Sequence, residues 1–554
     1  MTRSRFGCRT LLALISSSLT VALSFIFRSF PFSNMAPKLS TAELLSLDFA
    51  GLQKKLDAGL LTSVELVQAC LAQIDKHDQR GAKLNAMISV APHRLLMERS
   101  AQLDRERTVG RVRSPFHGIP VLVKDAIATS PSLELVTTLG SLALRDSIAP
   151  KSANIVAKLE EMGVIVLGKT NLNELCNFKG DANSNGWSAL GGQTQSAYIA
   201  RRANETGLGQ TDPCGSSTGS AVGVSAGYAP LSLGTESIGS IVMPASRAGL
   251  YAFKPALSTV SMDGVFKSSL ELDVVGGLAR SPRDLALLSQ TALTEEKRRL
   301  LPEDGYLEFL TGNFNGIRTG FLDPKKWSLH PNIVKLDDVI LKRMNEMYFA
   351  ALNRIKECAA EGSVVYPVDI PPATDLWYEG QNPIEVVMSH EAKQPIENWL
   401  AEVKVPGLKT IEDLISFNLD HKDVELPESH PDQNQLLKAS RNPPPREMYE
   451  TVKARMKSIS KDNGIDKLFR EQYLNILAFP MDSLMVFISA ASGYPIATMP
   501  LGVISEDGRP YGLGIMAQAG REDLMFQFMS AFEAHFPSRV LPLRVHDNGA
   551  TSEL

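Results

Sequence analysis

The chain has 554 residues, of which 44% are hydrophobic and 21% are charged, a composition typical of a globular protein. Its net charge of −4 and its pI near 6.2 argue against nucleic acid as the main partner. The five cysteines and nine histidines are scattered and lack the spacing of a disulfide framework or a zinc site. We therefore expect a protein that uses no metal ion and no other cofactor.

The N-terminal segment, residues 1–34, has a composition of its own. Arginines at positions 3, 5 and 9 precede an apolar stretch from Leu11 to Phe27, and the first acidic residue is Glu43. A basic start followed by an apolar run is typical of a secretory signal or a membrane anchor, so residues 11–27 are a candidate membrane contact. The Arg- and Ser-rich composition is also that of a mitochondrial presequence. A third interpretation is a chain that starts at Met35 and stays in the cytoplasm.

From residue 41 onward, apolar residues recur first at helical and then at strand spacing. Two helices are predicted between residues 41 and 78, separated near Gly59. The apolar run Ile119–Val123 predicts a buried strand that ends at Lys124. A helix over 153–162 and a strand over 164–167 follow, and the strand leads into Gly168-Lys-Thr-Asn. This alternation is typical of an α/β fold.

The rest of the chain returns to strands after a long helical region. Small residues dominate positions 220–229, which we interpret as a helix packed closely on a strand over 231–234. The region 294–475 is interpreted as a variable helical elaboration over the site, with one helix from Val334 to Cys358. Strand patterns reappear over 494–502 and 511–517. We predict one large domain over 35–545 and a flexible tail over 546–554.

Two glycine-flanked turns carry serines near the middle of the chain. They read Cys214-Gly-Ser-Ser-Thr-Gly-Ser and Gly234-Thr-Glu-Ser-Ile-Gly-Ser. A serine hydroxyl is a poor nucleophile without a base, and neither turn contains a histidine. A lysine can be that base when burial keeps it neutral.

Lys124 follows an apolar strand and is the first candidate for this base. Lys169 and Lys254 are rivals on local context alone. The alternative for Lys124 is an ion pair with its neighbour Asp125.

Four segments of the chain share their order and spacing with a known enzyme family. They are the two serine turns together with Gly118-Ile-Pro-Val-Leu-Val-Lys-Asp and Gly168-Lys-Thr-Asn. Together they resemble the amidase signature family, from about residue 44 to 289 and again over 492–514. The Gly-Ser-Ile-Val form of the second turn is most similar to the branch that contains bacterial peptide amidases. The resemblance implies a single large α/β domain with a central mixed, twisted β-sheet covered on both faces by helices.

The family implies that an amide is hydrolysed by a Ser–Ser–Lys triad. Carried over by position, Ser240 is the nucleophile, Ser216 relays the proton and Lys124 is the base. Ser216 is expected to follow a cis peptide bond after Gly215. The substrate is then a small-molecule or peptide amide, and the products are a carboxylate and ammonia or an amine. The sequence does not distinguish a monomer from a homodimer.

The resemblance also implies an oxyanion hole at the second turn. Its donors are the backbone amides of Ser237, Ile238, Gly239 and Ser240. Ser217 is expected to support the site by a hydrogen bond to the loop or to Lys124. Ile238 stands where the family has Gly or Asp. Because a β-branched residue makes a positive φ costly, we expect Ile238 to reshape the acyl pocket or weaken the site.

Three alternative functions fit parts of the sequence. Gly215-Ser-Ser-Thr-Gly matches the Gly-x-Ser-x-Gly nucleophile elbow centred on Ser217, although Pro213 argues against the strand that this motif needs. The substitution at Ile238 allows a catalytically weakened or inactive amidase-like binding protein. The third alternative is an amidotransferase-type subunit, whose branch favours Ser-Ile-Arg where this chain has Ser-Ile-Val.

Overall fold

The computed structural model describes residues 39–182, 184–202, 205, 208–329 and 337–546. The predicted N-terminal segment, residues 1–34, lies outside this part of the chain, as does nearly all of the predicted tail over 546–554. Within the described ranges, no helix is long and apolar enough to cross a lipid bilayer.

A large mixed β-sheet organises the chain. The strands in chain order are β1 (Met87–Val90), β2 (Pro120–Lys124), β3 (Ile165–Thr170), β4 (Trp187–Ser188), β5 (Gly192–Gln193), β6 (Leu231–Glu236), β7 (Tyr251–Lys254), β8 (Val274–Ala279), β9 (Thr319–Leu322), β10 (Val364–Val368), β11 (Ile476–Pro480), β12 (Ile496–Val503) and β13 (Pro510–Met516). The 11-stranded sheet has the order β1-β3-β2-β6-β8-β7-β12-β13-β11-β9-β10, and β4 pairs with β5 separately. β2 runs parallel to β3 and β6, whereas β8 is antiparallel to β6 and β7.

Helices connect and flank these strands. They are α1 (Thr41–Ser46), α2 (Phe49–Asp57), α3 (Ser63–His77), α4 (His93–Thr108), α5 (Asn154–Glu161), α6 (Thr218–Ser225), α7 (Val242–Arg247), α8 (Pro282–Ala292), α9 (Glu295–Arg298), α10 (Pro324–Trp327), α11 (Asp338–Cys358), α12 (Pro383–Glu391), α13 (Lys393–Glu402), α14 (Ile411–Asp420), α15 (Lys422–Glu425), α16 (Asn434–Arg441), α17 (Arg446–Lys457), α18 (Asp466–Gln472), α19 (Met485–Ser492) and α20 (Glu522–His535).

The middle of the sheet is covered on both faces. Every side chain of β2, β3, β6 and β8 is buried, and successive side chains of a strand point to opposite faces. Helix α6 packs on β2 and β6, where its small residues permit a close approach. A Cβ on Gly219 would lie only 2.3 Å from the carbonyl oxygen of Ala86. The small residues thus let α6 pack closely on its neighbours. The next strand along the chain, β6, leads into the second serine turn.

The predicted α/β fold is confirmed, with two differences in detail. The region 41–78 forms three helices rather than two, because Leu47 interrupts the first of them after Ser46. The region 294–475 is not purely helical, since β9 and β10 lie in it and extend the main sheet beside β11. β9 has only four residues, and β10 is an edge strand with exposed residues and a proline at position 367, which weakens the strand signal of its sequence.

Candidate active site

Lys124 ends β2 and lies fully inside the protein, with no exposed surface. Its Nζ lies within hydrogen-bond distance of Ser216 Oγ, at 2.7 Å. Nζ also donates to Thr235, to the carbonyl oxygen at 3.2 Å and to Oγ1 at 2.8 Å. β2 and β6 are parallel neighbours, so their C-terminal ends lie side by side. Lys124 at the end of β2 therefore lies beside Thr235 near the end of β6.

The ammonium form of Lys124 is disfavoured by its surroundings. Burial lowers the pKa of Lys124, and the nearby Cys176, Asp273 and Glu236 offset only part of that effect. Among the described residues, no carboxylate forms an ion pair with Lys124. The predicted alternative, a pair with Asp125, is wrong, because that carboxylate lies 3.9 Å from Lys169 Nζ. Successive side chains of an extended chain point to opposite sides, so Lys124 and Asp125 meet different partners.

The first serine turn leads from an irregular loop into α6. The Gly215–Ser216 peptide bond is cis, which confirms that prediction. The Ser216 carbonyl oxygen accepts from the backbone amide of Asn173 at 3.1 Å. Ser217 precedes α6, and its hydroxyl donates to the Thr235 carbonyl oxygen at 3.0 Å, so it binds the end of β6 and not Lys124.

The second serine turn connects β6 to α7. Gly239 has a φ of +70°, and a Cβ there would lie 2.8 Å from Met243 Sδ, so the position requires glycine. The Ser240 carbonyl oxygen accepts from the Ser217 amide at 3.0 Å, which joins the two turns. Within the described residues, the Ser240 hydroxyl makes no hydrogen bond, and the residue is 8% exposed.

The buried carboxylate of Glu236 holds the second serine turn by hydrogen bonds. Glu236 accepts from the backbone amides of Ile241 at 2.7 Å and Val242 at 3.1 Å, at the start of α7. Burial raises the pKa of Glu236, while Lys254 and these amides, with that of Gly239, act against the rise. The Gly239 amide, a predicted oxyanion donor, therefore also faces this carboxylate.

Ser237 and Ile238 are the partly exposed residues of the turn. The Ser237 hydroxyl donates to Asp273, whose other oxygen accepts from the Ser268 amide at 2.6 Å. Ile238 packs against the apolar cluster around α7 and α19. It does not have a positive φ, which falls on Gly239 instead. The backbone strain expected at Ile238 is therefore absent, and its side chain borders the site.

The two rival lysines lie in other surroundings. Lys169 is fully buried and contacts the Ile127 carbonyl oxygen and Thr137 Oγ1, the latter at 2.9 Å. Lys254 contacts Ser489 Oγ at 3.0 Å and the Tyr494 carbonyl oxygen at 2.9 Å. Neither of them contacts either serine turn in the part of the chain that the structure describes.

Sequence reasoning missed three residues that shape this site. Thr235 contacts Lys124 through two oxygens, and it lies inside the second motif, so its position beside the serine turn was a usable signal. Asp273 and Cys176 come from segments without a recognisable motif. Cys176 Sγ lies 3.8 Å from Thr235 Oγ1. Across the described ranges, no group of three or more His, Cys, Asp or Glu side chains is arranged to hold a metal ion.

Comparison with known proteins agrees with this geometry. The family model described as Amidase matches residues 65–377. A Schizosaccharomyces pombe protein named as an amidase is 30% identical over 534 residues, which cover 90% of this chain and 86% of the relative. The X-ray structure of native peptide amidase from Stenotrophomonas maltophilia matches with a TM-score of 0.78 and 31% identity, over 89% of this chain and 98% of that chain.

A further similarity covers about half of the chain. A glutamyl-tRNA(Gln) amidotransferase subunit of Chloroflexus aggregans is 33% identical over 282 residues, which are 50% of this chain and 54% of the relative. The family match and the two relatives that cover most of the chain lead to one conclusion: this chain belongs to the amidase family and is an amide hydrolase.

Proposed function

We propose that this amidase acts through an acyl-enzyme on Ser240, with Ser216 as the proton relay and Lys124 as the base. Neutral Lys124 takes the proton of Ser216, which takes that of Ser240 while the Ser240 oxygen bonds to the amide carbonyl carbon. The proton returns through Ser216 to the amide nitrogen, the C–N bond breaks, and ammonia or an amine leaves. Water then attacks the ester, its proton follows the same relay, and the carboxylate is released.

The observation that carries this proposal is the 2.7 Å contact between Lys124 Nζ and Ser216 Oγ in a fully buried setting. A neutral amine has two N–H groups and one lone pair. The two Thr235 oxygens take the N–H groups, so the lone pair is directed to the Ser216 hydroxyl. Burial favours this neutral form. The backbone bond between Ser217 and Ser240 holds the two turns that carry Ser216 and Ser240 next to each other.

The developing oxyanion is proposed to bind the backbone amides of the second turn. The donors are those of Ser237, Ile238, Gly239 and Ser240. The bond between Ser237 and Asp273 and the carboxylate of Glu236 at the start of α7 hold this turn in place before substrate binds. Such pre-positioned donors are effective, since the loss of one typically costs ~10²–10³ in rate.

The extent of the similarities supports a choice of substrates. The similarity to the amidotransferase subunit covers 50% of this chain, whereas the similarity to peptide amidase covers 89% of it. This difference favours an amidase that works on its own over an ammonia-supplying subunit. Amides of peptides and of small carboxylic acids are the substrates to test first.

A labelling experiment with a matched control tests the nucleophile. Wild-type protein, Ser240→Ala and Ser225→Ala are treated with a fluorophosphonate and assayed for ammonia release from aliphatic, aromatic, fatty and C-terminal peptide amides. Ser225 is a buried serine of α6 whose hydroxyl bonds within its own helix. We expect Ser240→Ala to lose labelling and hydrolysis with an unchanged melting temperature, and Ser225→Ala to keep both. Folded wild type that is neither labelled nor active contradicts the proposal.

We also propose that the N-terminal segment, residues 1–34, directs or anchors the protein and takes no part in the chemistry. The proposal is supported by its basic and apolar composition and by the position of the proposed catalytic residues between 124 and 240. A chain that starts at Met35 is expected to keep the kcat/KM of the full chain. Fractionation of cells that express the two forms shows whether the segment determines the location.

A further inference from the structure

A buried cluster of three ionisable side chains joins the core to the helical region at 411–441. Glu174 and Glu425 have no exposed surface, and Lys179 lies between them. Lys179 Nζ is 2.7 Å from Glu174 Oε1 and 2.6 Å from Glu425 Oε2, and it also donates to the Glu425 carbonyl oxygen. We call these three residues the carboxyl cluster.

The outer oxygens of the two carboxyl groups are also bound. Glu174 Oε2 accepts from the Ala189 amide at 2.9 Å. Glu425 Oε1 accepts from Ser141 Oγ at 3.0 Å and from the Leu142 amide at 2.6 Å. The carboxyl cluster therefore ties three loops of the core to α15, the short helix that ends at Glu425.

Charge counting assigns one proton to this pair of acids. A single lysine neutralises one carboxylate, and a second buried anion beside it is strongly disfavoured. Burial and the adjacent Glu425 raise the pKa of Glu174 well above its ordinary value. Burial also acts on Glu425, yet the hydrogen bond from Glu174 and the charge of Lys179 hold its pKa below the usual value. These directions assign the proton to Glu174, which shares it with Glu425 through a hydrogen bond.

Among the described residues, a histidine is a further titratable group near the carboxyl cluster. The Lys179 ammonium lies 5.6 Å from the ring centre of Trp187, and that ring stacks on His430 at 3.9 Å. Burial, with the positive charges of Arg201 and Lys179, lowers the pKa of His430 to about 4. His430 is thus neutral near pH 7 and adds no charge to the balance.

Glu174 opens the turn that covers the proposed base. The next three residues, Leu175, Cys176 and Asn177, have φ values of 51°, 56° and 76°, a left-handed run without a glycine. Such a run persists only when its surroundings impose it. Within this turn, the Cys176 thiol approaches Thr235 Oγ1 to 3.8 Å, and that oxygen contacts Lys124 Nζ.

We propose that the carboxyl cluster positions the Leu175–Asn177 turn against Thr235 and Lys124, and that it does so with one proton shared between Glu174 and Glu425. Glu174, Lys179 and Glu425 are positioning residues, since none of them touches the reacting serines. The proposal rests on the assignment of Lys124 as the base. Loss of the shared proton at high pH places two anions beside one lysine, loosens the turn and lowers the rate.

Two glutamine variants separate this role from simple structural support. Glu174→Gln keeps an uncharged group where the proton resides, whereas Glu425→Gln removes the anion that neutralises Lys179. Ammonia release from the best amide of the panel is measured from pH 5 to pH 10 for the wild type and both variants. The control is Glu412→Gln, which removes an exposed ion pair with Arg441 in the same helical region.

We expect Glu174→Gln to match the wild type at pH 7 and to keep its activity at high pH, where the wild type declines. Glu425→Gln is expected to lower kcat about 100-fold, the usual effect of a displaced catalytic group, with little change in KM. Glu412→Gln is expected to follow the wild-type profile. A Glu174→Gln profile with the wild-type alkaline decline, or an equal loss in both variants at pH 7, overturns the proposal. If Glu425→Gln does not fold, the Glu174→Gln profile decides alone.

A measurement without substrate distinguishes a failure of this inference from a failure of the proposed function. Folded protein binds a proton at Glu174 that the unfolded chain has already released above its ordinary pKa. The wild type must therefore lose stability relative to Glu174→Gln as pH rises towards the raised pKa of Glu174. Urea unfolding from pH 5 to pH 8 tests this in an inactive protein as well. A constant stability difference over that range overturns the shared proton.

Discussion

Lys124 and Lys169 lie at the ends of adjacent parallel strands and have equal burial but different partners. Both side chains are fully buried, and burial lowers the pKa of each. Lys169 Nζ has the Asp125 carboxylate at 3.9 Å, whereas Lys124 Nζ contacts the neutral oxygens of Ser216 and Thr235 and has no carboxylate partner among the described residues. Burial alone therefore does not identify a base.

The partner decides which role a buried lysine can take. A carboxylate stabilises the charged lysine, and the pair then ties two segments together. Asp125 shows this by accepting from the backbone amides of Thr138 at 3.1 Å and Gly140 at 3.2 Å, so that the Lys169 pair closes the loop after β2. When the partner of a neutral lysine is a hydroxyl group, the hydroxyl proton can instead move to the lysine.

The largest expected effect is on activity. Lys124→Met is expected to lower kcat/KM at least about 10³-fold, within the range for loss of a general base, and Lys169→Met less than about 10-fold because it lacks contact with the serines. Steady-state ammonia release on both folded variants checks this. The reverse order of the two activities transfers the base to Lys169.

Stability is expected to show the opposite order. Lys169→Met leaves the buried Asp125 carboxylate without its cation, a change that costs about 3 kcal/mol in the free energy of unfolding. Lys124→Met leaves two hydroxyls and a carbonyl short of one donor, at a cost of about 1 kcal/mol. Urea unfolding of the two variants gives both values. If Lys124→Met is the less stable protein, the partners of the two lysines do not determine how much each contributes to the free energy of unfolding.

The sequence predicts the surroundings of Lys124 better than those of Lys169. The end of β2, the two serine turns and the cis bond at Gly215 lie in continuous motifs, and the structure has them where the sequence predicts them. Asp125 shows the limit, because it follows Lys124 in the chain but pairs with Lys169 on the next strand. Side chains that alternate across a strand separate neighbours in sequence, and only the strand register shows which distant residue they meet.

The helical region 294–475 was the least predictable part of the chain. Glu425 carries no motif, and its partners Lys179 and Ser141 precede it by 246 and 284 positions in the sequence. Asp273, which binds Ser237, is likewise an isolated acid between apolar residues. The role of such side chains is recognised only in the folded structure, which shows their buried partners. Thr235, in contrast, lies inside a motif and could have been predicted from the sequence.

Thr235→Val tests the neutral partners of Lys124 with a smaller expected effect. The hydroxyl at 2.8 Å from Nζ stabilises the ammonium form, so its removal lowers the pKa of Lys124 further. The base is then neutral at lower pH, and the acid limb of the kcat/KM profile moves to lower pH. We expect a loss of about 10-fold at the plateau from poorer positioning of the amine. An acid limb that stays in place or moves to higher pH contradicts the assignment of that limb to Lys124.

The smallest expected effect is the pH dependence of stability at Lys169. Burial lowers the pKa of Lys169 from 10.5 to about 8, with Asp125 acting in the opposite direction. Between these two values the unfolded chain binds a proton that the folded protein does not, so stability rises with pH through this window. Urea unfolding at pH 8 and pH 10 is therefore expected to show the wild type gaining on the order of 1 kcal/mol relative to Lys169→Met. Subtracting the variant cancels the titration of the groups whose pKa the substitution does not change. A stability difference that stays constant over the same interval means that Lys169 stays charged in the folded protein and that its ion pair with Asp125 outweighs the cost of burial.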